Sequence, residues 1–180
     1  MTRVPYALIV VALGALAACG RPEARPSEST VAPPAAPLPP AEAAESLAAR
    51  IEARRASLVR KPGNTVTGDA VSQWTAYYSG DTLLLIDDST SLGTYGGSRS
   101  RFYYEGGQLR LYREAAQRTR TRRGQRGTSS LETRIVFDEA GAVVSSAYLV
   151  DGRASTLPAT KADEARNRSA DLVRRLVLGR

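Results

Sequence analysis

The stretch SRFYYEGGQLRLYRE, residues 100–114, predicts a β-hairpin, because apolar and polar residues alternate on both sides of Gly106-Gly107. A turn at the two glycines pairs Tyr104 with Leu109 and Phe102 with Leu111. The predicted apolar face consists of Phe102, Tyr104, Leu109 and Leu111. The predicted solvent face consists of Arg101, Tyr103, Glu105, Gln108, Arg110 and Tyr112. The hairpin therefore belongs to a sheet with one packed face and one exposed face.

Two further stretches predict similar hairpins: WTAYYSGDTLLLI, residues 74–86, and LETRIVFDEAGAVVSSAYLV, residues 131–150. In the first, a turn at Gly80-Asp81 gives an apolar face of Trp74, Ala76, Tyr78, Leu83 and Leu85. In the second, a bulged loop closed by Gly141 sets Phe137 opposite Val143, with Ile135 on the same face. Short turns leave no room for crossovers, so the strands should form an antiparallel meander.

Helical periodicity flanks the strand region on both sides. Residues 41–61 predict a helix that Pro62-Gly63 ends, with an apolar stripe of Ala44, Leu47, Ala48, Ile51, Leu58 and Val59. A C-terminal helix follows Thr160, the predicted N-cap, with Asp163 three residues on. Its apolar stripe consists of Ala162, Ala165, Ser169, Val173, Leu176 and Val177. We expect the C-terminal helix to cover the sheet, whereas the N-terminal one packs peripherally or forms a stalk.

Further turn signals at Gly96-Gly97 and Asp151-Gly152 extend the series of strands. The predicted fold class is α+β: an antiparallel β-meander of about six to eight short strands with an N-terminal and a C-terminal helix. The sheet domain with its C-terminal helix should span residues 62–180. A small up-and-down β-barrel is the alternative. The stretch FYYEGGQLRLY also resembles one hairpin of the MORN-like repeats, which implies only a strand, a turn and a second strand.

The N-terminus has the pattern of an export signal. Arg3 precedes an apolar run that is too short to span a bilayer, and the run ends in small residues. Residues Leu16-Ala17-Ala18-Cys19 resemble the lipobox of bacterial lipoproteins. That resemblance implies that residues 1–18 are a signal peptide and that Cys19 is lipidated. Gly20, rather than Asp, after the cysteine implies the inner leaflet of the outer membrane, facing the periplasm, rather than the inner membrane.

A proline-rich segment follows the cysteine and should remain disordered. Seven of the ten prolines lie between Gly20 and Pro40, and such a composition favours extended polyproline II over a packed core. At ~3.1 Å per residue, a segment of this length reaches on the order of 60 Å. We interpret residues 19–40 as a tether that starts at the lipidated cysteine.

The composition excludes several kinds of catalytic site. The chain has no histidine and one cysteine, which excludes Ser-His-Asp and Cys-His sites and an internal disulfide. No catalytic residue, metal site or cofactor is predicted. The adjacent carboxylates Asp87 and Asp88 should point to opposite faces of a strand, and Asp138 and Glu139 belong to a turn. An oxygen-ligand cation site stays open, although nothing resembles a calcium-binding loop.

Two groups of residues are candidates for binding. On the predicted solvent face, Tyr103 lies across from Arg110 and Arg101 lies across from Tyr112, a mixture that stacks on sugars and pairs with phosphates. The alternative is that these pairs only stabilise the sheet. The second group is an arginine loop in QRTRTRRGQRG, consisting of Arg118, Arg120, Arg122, Arg123 and Arg126. It is either a solvated loop or a contact for anionic lipid, lipopolysaccharide or an envelope protein.

The sequence thus predicts a lipid-anchored, non-enzymatic protein of the bacterial cell envelope that presents a β-rich domain for binding or structural work. Its net charge of +7 is moderate, so nucleic acid binding is not favoured. Two alternatives stay open. One is an inhibitor or ligand-binding module for an envelope enzyme or anionic glycan, and the other is a carboxylate-dependent hydrolase of envelope polymers.

Overall fold

The computed structural model describes residues 38–122 and 125–179. Eight antiparallel strands form one sheet, and each strand pairs with its neighbour in the chain. The strands are β1 (Val59–Thr67), β2 (Ala70–Ser79), β3 (Thr82–Ser91), β4 (Gly96–Glu105), β5 (Gln108–Arg122), β6 (Gln125–Phe137), β7 (Val143–Val150) and β8 (Arg153–Ala154). The helices are α1 (Pro40–Arg54) and α2 (Lys161–Leu178). The predicted signal peptide, Cys19, Arg123 and all of the tether except its last residues lie outside the described residues.

The α+β meander is confirmed, and the sheet is open. Strands β1 and β8 lie at its two edges and do not pair with each other, so the alternative of a small up-and-down barrel is wrong. The predicted turns at Gly80-Asp81, Gly106-Gly107 and Asp151-Gly152 are present between the strands. Gly141 has φ 79°, the left-handed conformation expected for the loop between β6 and β7.

Helix α1 is shorter than predicted and belongs to the packed domain. It starts at Pro40, where the missing N–H costs no hydrogen bond, and it ends at Arg54. The prediction that Pro62-Gly63 ends it at residue 61 is wrong, because both residues lie within β1. An edge strand tolerates a proline. Gly63 is required there because a Cβ would come within 2.0 Å of the Trp74 ring.

Helix α2 starts after Thr160 and ends before Gly179, as predicted. The predicted cap is not formed, since the Thr160 hydroxyl donates to Glu164 Oε1 at 2.7 Å instead of accepting from a backbone N–H. Leu172 is fully buried, while Val177 at the end of the predicted stripe is 81% exposed. Within residues 38–122 and 125–179, neither helix is sufficiently long and apolar to cross a membrane.

Register shifts occur in three hairpins, and two of them change the predicted arrangement. Tyr104 pairs with Leu109 as expected, but the register then shifts between Tyr103 and Tyr104. Phe102 therefore pairs with Tyr112, not with Leu111, because one extra residue reverses the side of every residue beyond it. A similar shift between Tyr77 and Tyr78 places Leu85 on the face opposite to the predicted one. The third shift lies between Val136 and Phe137, and the predicted Phe137–Val143 pair is present.

Both faces of the sheet are packed, which gives three layers. Helix α1 covers one face, around Leu58, Tyr77, Leu85, Tyr103, Leu111 and Val136. Helix α2 covers the other, around Trp74, Ala76, Ile86, Phe102, Tyr104, Tyr112, Ile135 and Phe137. The expectation of one packed and one exposed face is wrong, because consecutive aromatic residues of β4 serve the two cores alternately.

Candidate functional site

The predicted face of Arg101, Tyr103, Arg110 and Tyr112 does not form one surface. Tyr103 packs under α1, and Tyr112 packs under α2, so the two rings lie on opposite sides of the sheet and both are buried. Arg110 lies 3.9 Å from Glu139, far from Arg101 in the register. The predicted pairing was wrong because β5 contains one extra residue, Arg110, between the partners of Tyr104 and Tyr103.

The predicted arginine loop is mostly strand. Arg118, Arg120 and Arg122 lie in β5, and Arg126 lies in β6, in a hairpin whose register continues as far as Arg122 opposite Gln125. The hairpin extends past the last paired residue of β4, Gly96, which lies opposite Arg118. Contact of these residues with an anionic surface stays a prediction.

The register produces a different arginine cluster on the α1 face. Arg101 of β4 lies opposite Arg113 of β5, and Arg113 lies opposite Arg134 of β6. We call these three residues the arginine row. Like charges directly opposite each other destabilise a sheet, so the row requires anions nearby.

Carboxylates of α1 supply part of that negative charge. Glu45 accepts hydrogen bonds from both Arg113 and Arg134. One helical heptad later, Glu52 lies 3.3 Å from Arg101 and accepts a hydrogen bond of 2.8 Å from the Tyr103 hydroxyl. Burial acts to raise the pKa of Glu45, but the hydrogen bond from Arg134 and the charges of Arg113 and Arg134 outweigh it. The pKa of Glu45 is consequently lowered.

Asp87 of β3 adjoins the row and is a buried carboxylate that several arginines share. It accepts two hydrogen bonds from Arg99, of 2.9 and 2.7 Å, and another from Arg55, which lies just after α1. Arg101 Nε lies 3.8 Å away. Burial of Asp87 opposes ionisation, yet hydrogen bonds from Arg99 and Arg55 lower its pKa overall. Asp87 and Glu45 therefore remain charged near neutral pH and can orient the arginines.

An open groove of about 500 Å³ runs along the row, beside α1. Its floor follows two cross-strand rows of the sheet: the arginine row extended by Ala147, and a second row of Arg99, Ala115, Glu132 and Leu149. The side chains of Arg99 and Arg113 are 57% and 40% exposed. The groove combines exposed guanidinium groups with a small apolar floor of Ala115, Ala147 and Leu149.

This arrangement is suited to binding oxyanions. A guanidinium presents several N–H donors in a plane that matches carboxylate and phosphate oxygens, and Arg113 uses one side-chain donor on Glu45.

In the described part of the chain, no group of three or more Asp, Glu, His or Cys residues could hold a metal ion. Asp87 and Asp88 do point to opposite faces, and Asp138 Oδ1 accepts from the Ala142 N–H in its turn, as predicted.

Sequence reasoning found Arg101 but missed Arg99, Arg113 and Arg134. The signal that could have located them is the run Phe102-Tyr103-Tyr104, because three consecutive aromatic residues indicate a strand packed on both faces. Comparisons of the chain with family models, curated proteins and solved structures found no match. The site therefore rests on its own geometry.

Proposed function

We propose that this protein is a lipid-anchored component of a bacterial cell envelope whose β-rich domain binds an anionic ligand or partner. The observation that carries the binding role is the arginine row, which faces an open groove on the α1 face of the sheet. Catalysis is not part of the proposal: arginines hold Glu45 and Asp87, beside the groove, in the ionised form, so these two carboxylates are poor proton donors near neutral pH.

The anchor in this proposal is Cys19. Support comes from the resemblance of Leu16-Ala17-Ala18-Cys19 to a lipobox and from the apolar run that precedes it. Two or more acyl chains hold a protein stably on a membrane, whereas one chain binds marginally. The proline-rich residues up to Pro40 would separate the acyl chains from the domain, and Gly20 favours the outer membrane over the inner membrane.

The anchor is tested by replacing Cys19 with Ala in the full chain. We expect the unchanged protein in the outer membrane fraction with an acylated N-terminal peptide by mass spectrometry, and the variant released from the membrane or left unprocessed. Ser29→Ala, within the tether, serves as the matched control and should behave like the unchanged protein. If Cys19→Ala stays membrane-bound and is processed normally, the anchor is wrong.

A substitution at Gly20 tests which membrane holds the protein. By the sorting rule of the family that the N-terminus resembles, Gly20→Asp should move the protein to the inner membrane without reducing its acylation. Gly20→Ser is the control for changing this position. An unchanged outer-membrane location for Gly20→Asp would remove the basis for assigning the membrane by this residue.

A second proposal concerns the hairpin of β5 and β6. Between Glu114 and Glu132 the chain has five arginines and no acidic residue, so contact with anionic lipid or lipopolysaccharide would be electrostatically favourable. Binding of the delipidated protein to lipopolysaccharide should weaken steeply with salt. Replacing Arg118 and Arg126 by Gln should weaken it further, and salt-independent binding would contradict the contact.

A further inference from the structure

We propose that the groove beside α1 binds a single anionic amphiphile: a phosphate or carboxylate head group on a short hydrocarbon chain. The inference rests on the binding role proposed above and names its ligand class, but it does not depend on the anchor at Cys19. It combines two features of the groove: the guanidinium groups of the arginine row, and the apolar side chains of Ala115, Ala147 and Leu149.

Glu45 demonstrates how the arginine row holds an oxyanion. Its two carboxylate oxygens accept separately, one from Arg113 Nη2 and the other from Arg134 Nε. Arginines of two neighbouring strands thus share one carboxylate. A ligand head group can occupy an equivalent position at the groove side of the row, where the Arg113 guanidinium remains partly exposed.

The row and its neighbours Arg55 and Arg99 together carry more positive charges than the carboxylates that pair with them. Five arginines, Arg55, Arg99, Arg101, Arg113 and Arg134, pair with three acids, Asp87, Glu45 and Glu52. Arg101 is held least closely, at 3.3 Å from Glu52 and 3.8 Å from Asp87. One further negative charge at Arg99, Arg101 and Arg113 would reduce the repulsion within the row.

The floor explains why the ligand should carry a hydrocarbon chain. Ala115 and Ala147 are exposed on the sheet, and Leu149 is half-buried beside them. These side chains offer no hydrogen-bond donor or acceptor, so a free phosphate would leave this part of the groove unfilled. Glu132 lies between Ala115 and Leu149 in the register and disfavours a second anion at that end. The volume of about 500 Å³ suits a small molecule.

The test uses the chain from residue 19 to residue 180 with Cys19→Ser, which retains every described residue and carries no lipid. Calorimetric titration with octyl phosphate, kept below its micelle concentration, is compared with inorganic phosphate and with octanol. We expect octyl phosphate to bind at least about tenfold more tightly than either fragment, because each contacts only one part of the groove. Equal binding of octyl phosphate and phosphate would overturn the role of the floor.

Variants separate the two parts of the site. Arg101→Gln should weaken octyl phosphate about tenfold, and Arg174→Gln, an exposed arginine on α2, is its matched control. Ala147→Trp should fill the floor and abolish the advantage of octyl phosphate over phosphate while the protein stays folded, since Ala147 is exposed. Glu45→Gln should strengthen binding, because it removes a competing carboxylate. Unchanged octyl phosphate affinity in both Arg101→Gln and Ala147→Trp would overturn the assignment.

Two further probes test whether the negative charge that the groove binds belongs instead to a membrane surface or to an acidic peptide. Vesicles of phosphatidylcholine with phosphatidic acid test for a membrane surface, and hexaglutamate tests for an acidic peptide. Binding to vesicles without binding to monomeric octyl phosphate, or tighter binding of hexaglutamate, would overturn a site for a single amphiphile. Release of Cys19→Ala from the membrane together with no octyl phosphate binding would leave the anchor standing and refute the groove alone.

Discussion

Buried carboxylates are paired differently on the two faces of the sheet. On the α2 face, the buried carboxylates pair with single cations: Asp88 with Arg168 at 2.8 Å, and Glu114 with Lys161 at 2.6 Å. On the α1 face, Asp87 is shared by several arginines. A carboxylate paired with a single cation has its charge satisfied locally, which suits a closed interface. An excess of arginine leaves capacity for another anion, which is why we assign binding to the α1 face and stability to the α2 face.

The largest expected effect lies in the α2-face core. Phe102 is fully buried there and lies 5.1 Å from Tyr112 between ring centres. Phe102→Ala should lower the free energy of unfolding by about 4 kcal/mol, because it removes an aromatic contact and leaves a cavity. Chemical denaturation measures the loss. Leu178→Ala, at an exposed position of α2, is the control and should change stability little. A loss below about 1 kcal/mol for Phe102→Ala would contradict the closed core.

The turns could be predicted from sequence because local chemistry determines them. Gly106 and Gly107 have φ of 60° and 80°, which glycine adopts readily. The register could not be predicted, because no turn residue or other local signal marks the extra residues opposite Tyr77-Tyr78 and Tyr103-Tyr104, where the pairing shifts. With one face assigned to solvent, the alternation of residues gave a consistent but incorrect pairing of Phe102 with Leu111.

The arginine row was missed for the same reason. Arg101 and Arg113 come opposite each other only when the bulge is included in β5. Glu45 gave no signal either, since an acidic residue early in a helix is already explained by the helix dipole. The site depends on contacts between α1 and strands that lie far along the chain, which residue spacing does not encode.

The next largest loss of stability is expected for neutralising one of the two adjacent carboxylates, Asp87 and Asp88. Asp88→Asn should cost about 3 kcal/mol, since it removes the charge of a buried carboxylate that pairs with Arg168 at 2.8 Å and leaves that arginine only the more distant Asp171, at 3.6 Å. Asp87→Asn should cost less, about 2 kcal/mol, because the side chain of Arg99 is 57% exposed and can turn to water. Denaturant unfolding of both variants measures the difference. If Asp87→Asn is the more destabilising change, the α1-face arginines are structural rather than available to a ligand.

The free energy of unfolding should fall in acid, because carboxyl groups on the α1 face become protonated. The pKa values of Glu45 and Asp87 lie below their ordinary values of 4.5 and 3.8. A carboxyl group with a lowered pKa contributes stability that is fully present above its ordinary pKa and is lost as pH falls through the folded value. Unfolding at pH 7 and at decreasing pH below about 4.5 measures this loss. The double variant Glu45→Gln with Asp87→Asn should have a flatter acid profile, whereas an unchanged profile would show that other carboxyl groups are responsible.

The smallest expected loss in the free energy of unfolding comes from removing a buried tyrosine hydroxyl, which we compare at Tyr104 and Tyr103. The Tyr104 hydroxyl and Ser169 Oγ lie 2.7 Å apart on the α2 face, with both residues buried. Tyr104→Phe should cost about 1.5 kcal/mol, because it leaves the serine hydroxyl without this partner. Tyr103→Phe should cost about 0.5 kcal/mol, since Glu52 keeps Arg101 at 3.3 Å and Arg55 at 3.4 Å. Denaturation of the two variants in parallel checks the order. A reversed order would mean that the arginines beside Glu52 do not replace the lost hydrogen bond, and that the α1 face has no spare cationic capacity.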